Sequence, residues 1–181
     1  MSGDLRFARV DTSLGPMLLA TTPVGLAALS REDAPGALLA GLRRRFPAAD
    51  PLPDAAALRG HAAWLRGYLA GAVRELAPVD LTGLTAWDAR VFEAVRAILY
   101  GETATYGEVA AAVGSAGAAR AVGGALSRCP LLPAVPCHRV VMAGDGFSGW
   151  GGGDLEVKRR LLAMERGQAG PTSFDGVDTP T

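Results

Sequence analysis

The chain has 181 residues, 49% of them hydrophobic, enough for one ordinary domain or two small ones with a real core, and this excludes wholesale disorder. Lys+Arg and Asp+Glu both number 18, so a highly basic nucleic-acid coat and an acidic tail are excluded, although a local basic groove is not. Two cysteines, Cys129 and Cys137, exclude a disulfide-dense scaffold, and also a four-cysteine zinc site or iron–sulfur cluster supplied by this chain alone.

Residues 5–30 read as three short strands. Leu5, Phe7 and Val10 begin the first, Met17 to Ala20 form the second and Val24 to Leu29 the third. Asp11 to Pro16 and Thr21-Thr22-Pro23 supply the turns, which predicts an antiparallel meander. Residues 34–46 carry Leu38, Leu39, Leu42 and Phe46 at helical spacing, opposite Arg43, Arg44 and Arg45. That arginine run is read as a solvated helix face, with a nucleic-acid contact as the alternative. Pro51 and Pro53 mark a linker. Asp54 is placed to cap a second helix holding Leu58, His61, Leu65 and Leu69, with Trp64 and Tyr68 nearby. His61 has no second histidine or cysteine at ligand spacing and reads as a packed or half-exposed residue. Pro78 to Thr85 is a junction, and a domain boundary is expected around 77–84.

Trp87 to Tyr100 reads as a helix with Val91, Val95 and Ile98 in one stripe, stopped by Gly101. Two short helices follow, Tyr106 to Val113 and about Ala116 to Ser127, separated by Gly114-Ser115. Helix, glycine turn, helix is a helix-turn-helix signal, though many helical hairpins read the same way. Gly123 and Gly124 each cost the second helix roughly 1 kcal/mol relative to alanine. The resulting small-residue surface admits a close neighbour, either another helix or a nucleic-acid groove. From Val109 to Gly144 there is no acidic residue, while Arg120, Arg128 and Arg139 fall inside; a locally cationic surface would attract phosphate.

Pro130, Pro133 and Pro136 are expected to hold the chain extended and to deliver Cys137 next to His138 and Arg139. A free thiol, with a pKa of about 8.5, is a weak nucleophile until ionised. An adjacent imidazole can take its proton. Successive strand residues point to opposite faces, so a turn or a water is needed to join them; a buried cysteine beside a structural histidine is the alternative. Six of the ten residues from Gly144 to Gly153 are glycine. This stretch reads either as a loop exposing amides to a ligand, with Trp150 as a wall for a planar base, or as a surface loop with one packed tryptophan. Asp154 is placed to cap a helix running to Glu165 or Arg166. Lys158, the only lysine, and Glu165 lie about 20° apart around that helix, on its leucine face. Charges there are costly unless paired or used, and Glu165 is suited to orient His138.

Four segments carry a resemblance: Gly101-Glu102-Thr103-Ala104-Thr105-Tyr106-Gly107-Glu108-Val109-Ala110, Ala118-Ala119-Arg120-Ala121-Val122-Gly123, Pro136-Cys137-His138-Arg139-Val140 and Leu161-Leu162-Ala163-Met164-Glu165. Together they resemble the methylated-DNA–protein-cysteine methyltransferases, strongly from Trp87 to Glu165 and loosely over residues 5–80. The resemblance implies an α/β N-terminal domain with a short antiparallel sheet (residues 1–80). A mostly α-helical C-terminal domain with a winged-helix-like helix-turn-helix follows (81–166), then a flexible tail (167–181). It implies irreversible, stoichiometric transfer of a methyl or small alkyl group from 6-O-alkylguanine, and also from 4-O-alkylthymine, to Cys137. The substrate is double-stranded DNA, bound through the minor groove, with the damaged base flipped out. His138 is then the base acting through a water, Glu165 the acid that orients it, Tyr106 the donor to the leaving guanine and Lys158 the support for that end of the site. Arg120 enters the duplex, on a recognition surface with Ala119, Ala121, Gly123, Gly124 and Arg128. Trp150, Pro136, Val140 and Gly151 line the alkyl pocket. No metal and no cofactor are expected. A monomeric, stand-alone, soluble and cytoplasmic protein with no membrane association is expected. Three departures stand out: Cys129 where the family has a helix-tying asparagine, Trp87-Asp88 where it has Phe-Gln, and Trp150 with an extra residue near Asp154 at the pocket rim. Cys129 is expected to loosen the site, and Trp87-Asp88 to change packing only. A damage sensor, a cysteine hydrolase and an architectural minor-groove binder are the competing readings.

Overall fold

A computed structural model describes residues 4–31, 35–144 and 155–167. Strands β1 (Arg6–Thr12), β2 (Gly15–Thr21) and β3 (Leu26–Ser30) form the expected antiparallel meander, with Val10 opposite Met17 and Leu19 opposite Leu29. The sheet is nevertheless mixed. A fourth strand, β4 (Leu52–Pro53), runs parallel to β1 on its free edge, giving the order β3-β2-β1-β4. The Pro51–Pro53 segment read as a linker is therefore part of the sheet. Leu52 N–H donates to the Leu5 carbonyl at 3.0 Å and Asp54 N–H to Phe7 at 2.9 Å. Prolines are compatible with this position because an edge strand need not donate on its outer side.

Both faces of the sheet are buried. Helix α1 (Gly36–Arg45) packs Leu42 against Leu5, Ala20 and Ala28 on one face. Helix α2 (Arg59–Leu69) packs Leu65 and Ala62, with Leu58 just before it, against Ala8, Val10 and Leu19 on the other. Burial of both faces is why the strands alternate only weakly in sequence. Asp54 caps a turn rather than α2 itself: its carboxylate accepts from Ala57 N–H at 3.0 Å, and α2 starts at Arg59. The arginine run is largely consumed by structure. Arg43 pairs with Asp50 at 3.1 Å. Arg45 donates to the carbonyls of Ala27 and Thr82, both at 2.6 Å, and to that of Asp80, stitching β3 to the junction.

The junction is tied down as well. Leu26 N–H donates to the Pro78 carbonyl at 2.9 Å and Asp80 N–H to the Leu26 carbonyl at 2.8 Å. Gly83 sits at φ +76°, and a Cβ there would lie 2.5 Å from the Arg45 carbonyl oxygen. Gly83→Ala is expected to cost about 2 kcal/mol or more, from left-handed strain plus overlap with backbone that cannot give way. Chemical denaturation of the two proteins checks this.

Beyond the junction, α3 (Ala86–Arg96) is capped by Thr85 Oγ1, which accepts from Asp88 N–H at 3.0 Å. It ends at Arg96 rather than Tyr100. Ala97 and Ile98 continue as tighter turns, bonding back to Ala94 and Val95 at 3.2 Å. Strand β5 (Ala104–Thr105) pairs in parallel with β6 (Val140–Val141). Helix α4 (Tyr106–Ala112) opens with a complete capping box between Thr105 and Glu108. Helix α5 (Ala119–Ser127) follows the Gly114-Ser115 turn, completing the helix-turn-helix, and α6 (Leu155–Glu165) closes the described chain. The core runs across the junction without a break: Leu19, Leu26 and Leu65 share one cluster with Val91, Phe92, Val122 and Val135. Among the described residues no helix is long and apolar enough to cross a membrane. The expectations for Trp150, Gly151, the Asp154 cap and the tail from 168 onward lie outside the described residues.

Candidate active site

The proline-rich segment is compact rather than extended. Val135 N–H bonds back to the Leu131 carbonyl at 2.8 Å and Cys137 N–H to that of Val135 at 2.8 Å. Proline restricts φ to values that suit turns as well as extended chain, so spacing alone did not separate the two. Cys137–Arg139 then make one turn of 3₁₀ helix, entered from Pro136, and Val140 begins β6. Successive side chains on such a turn point about 120° apart. Cys137 lies beside Cys129 while His138 and Arg139 both reach Glu165, and all three are buried, at 2%, 0% and 1% exposure.

Glu165, from the last turn of α6, is the hub. Its Oε1 lies 2.6 Å from His138 Nε2 and also accepts from the Tyr68 hydroxyl and from Arg139 Nη2 at 3.1 Å. Its Oε2 accepts from Arg139 Nε at 2.9 Å and from Gly101 N–H at 3.0 Å. Despite burial, His138, Arg139 and Tyr68 hold this carboxyl far below the usual carboxylate range. An ionised carboxylate fixes the imidazole as the Nε2–H tautomer. The other ring nitrogen, His138 Nδ1, is buried with no hydrogen-bond partner in the protein. Burial lowers the His138 pKa, with Glu165 opposing, so the imidazole is held neutral and able to accept.

Lys158 and Glu165 do share the buried face of α6, as their spacing predicts, but they do not pair. Lys158 Nζ donates to the Val140 carbonyl at 2.8 Å. Burial lowers its pKa while Cys137 raises it, which places the ammonium within electrostatic reach of the sulfur. Tyr106, the first residue of α4, is 8% exposed; burial and then Cys137 push its hydroxyl up and keep it protonated. The Cys137 thiol itself is pushed well above its ordinary value by the Cys129 thiol bonded beside it and by burial, against the pull of Lys158. Two adjacent sulfurs cannot both ionise cheaply. Cys137 is therefore a neutral thiol at rest and needs a base. Cys129 brings a second sulfur to Cys137 where an amide was expected in the family pattern, and the Pro130 carbonyl behind it accepts from Leu29 N–H at 2.6 Å, fastening this segment to β3.

Arg139, grouped in sequence with cations for phosphate, is instead buried against Glu165, Tyr68 and the Ile98 carbonyl, the last at 2.6 Å. Tyr68 is the site residue the sequence reading missed. Its helical spacing with Leu65 marks it only as core, and nothing local signals a partner 97 positions away.

Helix α5 presents Arg120 and Ala121 outward while Ala119 is half-buried against the core, and Arg120 is exposed with no ion pair among the described residues. Gly123 faces the Tyr106 ring, which a Cβ would meet in ordinary contact at 3.7 Å, where α5 lies over α4. A Cβ on Gly124 would meet Arg128 Nη1 at 3.4 Å. Arg128 is not a free cation: it pairs with the buried Asp88 at 2.7 Å. Trp87 Nε1 donates to the Ala121 carbonyl at 3.3 Å. Trp87-Asp88 thus does more than change packing, since both residues fasten α5 to α3. Pro136 and Val140 are buried beside Cys137. Among the described residues no group of three or more His, Cys, Asp or Glu is arranged to hold a metal.

Known proteins resemble this chain in sequence and fold. The family described as "6-O-methylguanine DNA methyltransferase, DNA binding domain" matches residues 86–167, the segment holding α3 to α6. The methylated-DNA–protein-cysteine methyltransferase of Mycobacterium tuberculosis is 36% identical over 171 residues, 91% of this chain and 94% of the relative. The bifunctional transcriptional activator/DNA repair enzyme Ada of Escherichia coli is 35% identical over 162 residues, 89% of this chain and 45% of Ada. The crystal structure of M. tuberculosis OGT in complex with DNA superposes with a TM-score of 0.75 at 35% identity, covering 92% of this chain and 96% of that one. With the buried Cys-His-Glu site and helix-turn-helix in the matched segment, the chain belongs to the methylated-DNA–protein-cysteine methyltransferase family.

Proposed function

We propose that Cys137 is the acceptor in direct-reversal repair of DNA, taking the alkyl group from 6-O-alkylguanine, or 4-O-alkylthymine, irreversibly and once per molecule. One observation carries this reading: His138 commits Nε2 to Glu165 and keeps a buried, unpartnered Nδ1 one residue from a neutral buried thiol. The thiol proton passes to Nδ1, directly or across a water. The thiolate then attacks the alkyl carbon in line, a carbon–sulfur bond forms and the carbon–oxygen bond breaks, leaving its electron pair on guanine. Tyr106 donates to the guanine ring as that charge develops, so the leaving group departs neutral. Lys158, held by the Val140 carbonyl, supports the developing thiolate.

The base must leave the stack to reach a buried sulfur. Arg120 then occupies the duplex from the minor groove while Ala119, Ala121, Gly123 and Gly124 allow α5 to approach, and Arg128 keeps the helix end in place through Asp88. Pro136 and Val140 line the alkyl pocket. The protein acts as a monomer without metal or organic cofactor.

Intact-protein mass spectrometry tests this after incubation with a duplex carrying one 6-O-methylguanine. A single added methylene mass on Cys137, absent in Cys137→Ala while duplex binding persists, is the expected result. No mass gain with the duplex still bound would overturn the acceptor assignment and leave a damage sensor.

A further inference from the structure

Tyr68 lies in α2, in the sheet-bearing half of the chain, and is fully buried. Its hydroxyl donates to Glu165 Oε1, the same oxygen that His138 Nε2 uses, and accepts from Arg139 Nη2 at 3.2 Å. A carboxylate oxygen has two lone pairs. Oε1 receives three donors, from Tyr68, His138 and Arg139. They share one negative charge, so each donor weakens the hold of the others. Arg139 is also anchored through Oε2 and the Ile98 carbonyl. Tyr68 is the donor that comes from outside the segment holding Cys137, His138 and Glu165.

We propose that Tyr68 is a positioning residue through which the N-terminal half of the chain limits how much of the Glu165 charge reaches His138, and so sets the strength of the base that activates Cys137. This rests on His138 acting as the base for Cys137. The charged and titratable groups that bear on His138 are Glu165 and Lys158 from α6, Arg139 and Cys137 from its own turn, and Tyr68 from α2. Tyr100 faces Glu165 and stacks edge-on to Tyr68 at 6.1 Å between ring centres, with the guanidinium groups of Arg74 and Arg139 over its ring at 5.4 and 5.6 Å. Removing the Tyr68 hydroxyl takes one donor from Oε1 and one acceptor from Arg139 Nη2, which keeps its bond to Glu165, and it leaves every formal charge in place.

The test is Tyr68→Phe, which keeps the ring packed against Trp64 and Tyr100. The chain has two histidines, so one His61→Gln variant assigns the His138 imidazole nitrogen signals. With Tyr68 lost as a competitor, Glu165 stabilises the imidazolium more strongly. The His138 titration midpoint is expected to rise by about half a pH unit or more. The acid limb of the transfer rate moves the same way, a slowing of about threefold at a fixed pH below the midpoint. A ring-fluorinated tyrosine at position 68, a stronger donor, is expected to move the midpoint down. An unchanged, lowered or undetectable His138 midpoint in Tyr68→Phe overturns the proposal, as does a lower melting temperature with no shift, which marks a packing role. The titration needs no transfer. A shifted midpoint in a protein whose Cys137 takes no alkyl group sinks the acceptor assignment and leaves standing only the control of His138 by Tyr68 through Glu165.

Discussion

Glu165→Ala is expected to lose about 3–5 kcal/mol of stability, since it leaves Arg139 as a buried charge without its counter-ion. It also strips His138, Tyr68 and Gly101 N–H of their acceptor. For a chain of this size that corresponds to a fall in Tm of roughly 10 °C. The acid limb of stability is expected to change too. The Glu165 carboxyl is held far below its unfolded value of about 4.3. Its contribution is complete above that pH and is lost as the pH falls from there toward the folded value. His138 is likewise lowered from about 6.5 by burial, so stability is also lost as the pH drops below that value. In Glu165→Ala the loss below about pH 4 should vanish. The loss beginning near pH 6.5 should steepen, because the imidazolium no longer has its anion. Denaturant titrations at several pH values measure both. A variant within about 1 kcal/mol of the parent at neutral pH would show that Arg139 finds another counter-charge.

Arg120→Ala is expected to slow alkyl transfer from duplex DNA by about 100-fold while leaving transfer from the free alkylated guanine base within about twofold. Arg120 is the second residue of α5, exposed and unpaired among the described residues, so it can leave the protein surface without breaking anything. Flipping a base costs a few kcal/mol of stacking, and a side chain that fills the gap recovers part of it. Losing about 2.7 kcal/mol of that gives the stated factor. The salt dependence of duplex binding should fall by about one counter-ion. Single-turnover rates on the two substrates decide the matter. Equal losses on both would place Arg120 in the folding of α5, and no loss on the duplex would remove it from base flipping.

The two predictions draw on residues of different legibility. Pattern alone grouped Arg120 with Arg128 and Arg139 in a stretch without acids, and only the family resemblance gave it a separate role. Cys137 and His138 could be singled out because adjacent chemistry-bearing residues in a proline-rich stretch are conspicuous. Lys158 and Glu165 were placed on one buried face by helical periodicity, and they are on it. The short strand β4 was read as a linker because two residues carry no periodicity. Arg128 and Arg139 were read as surface cations because the stretch holding them contains no acid, yet their partners Asp88 and Glu165 come from other helices.

Local pattern was sufficient for the three-strand meander, the two short helices around Gly114-Ser115 and the stripe on α6, since each depends on neighbours a few residues apart. Which charges meet depended on packing. Glu165 collects donors from α2, from the turn after α3 and from the Cys137 turn. Lys158 turns away from Glu165 to a carbonyl, and Cys129 lies against Cys137. A buried charge accepts whichever partner the fold brings within about 3 Å, and that distance has no relation to separation along the chain.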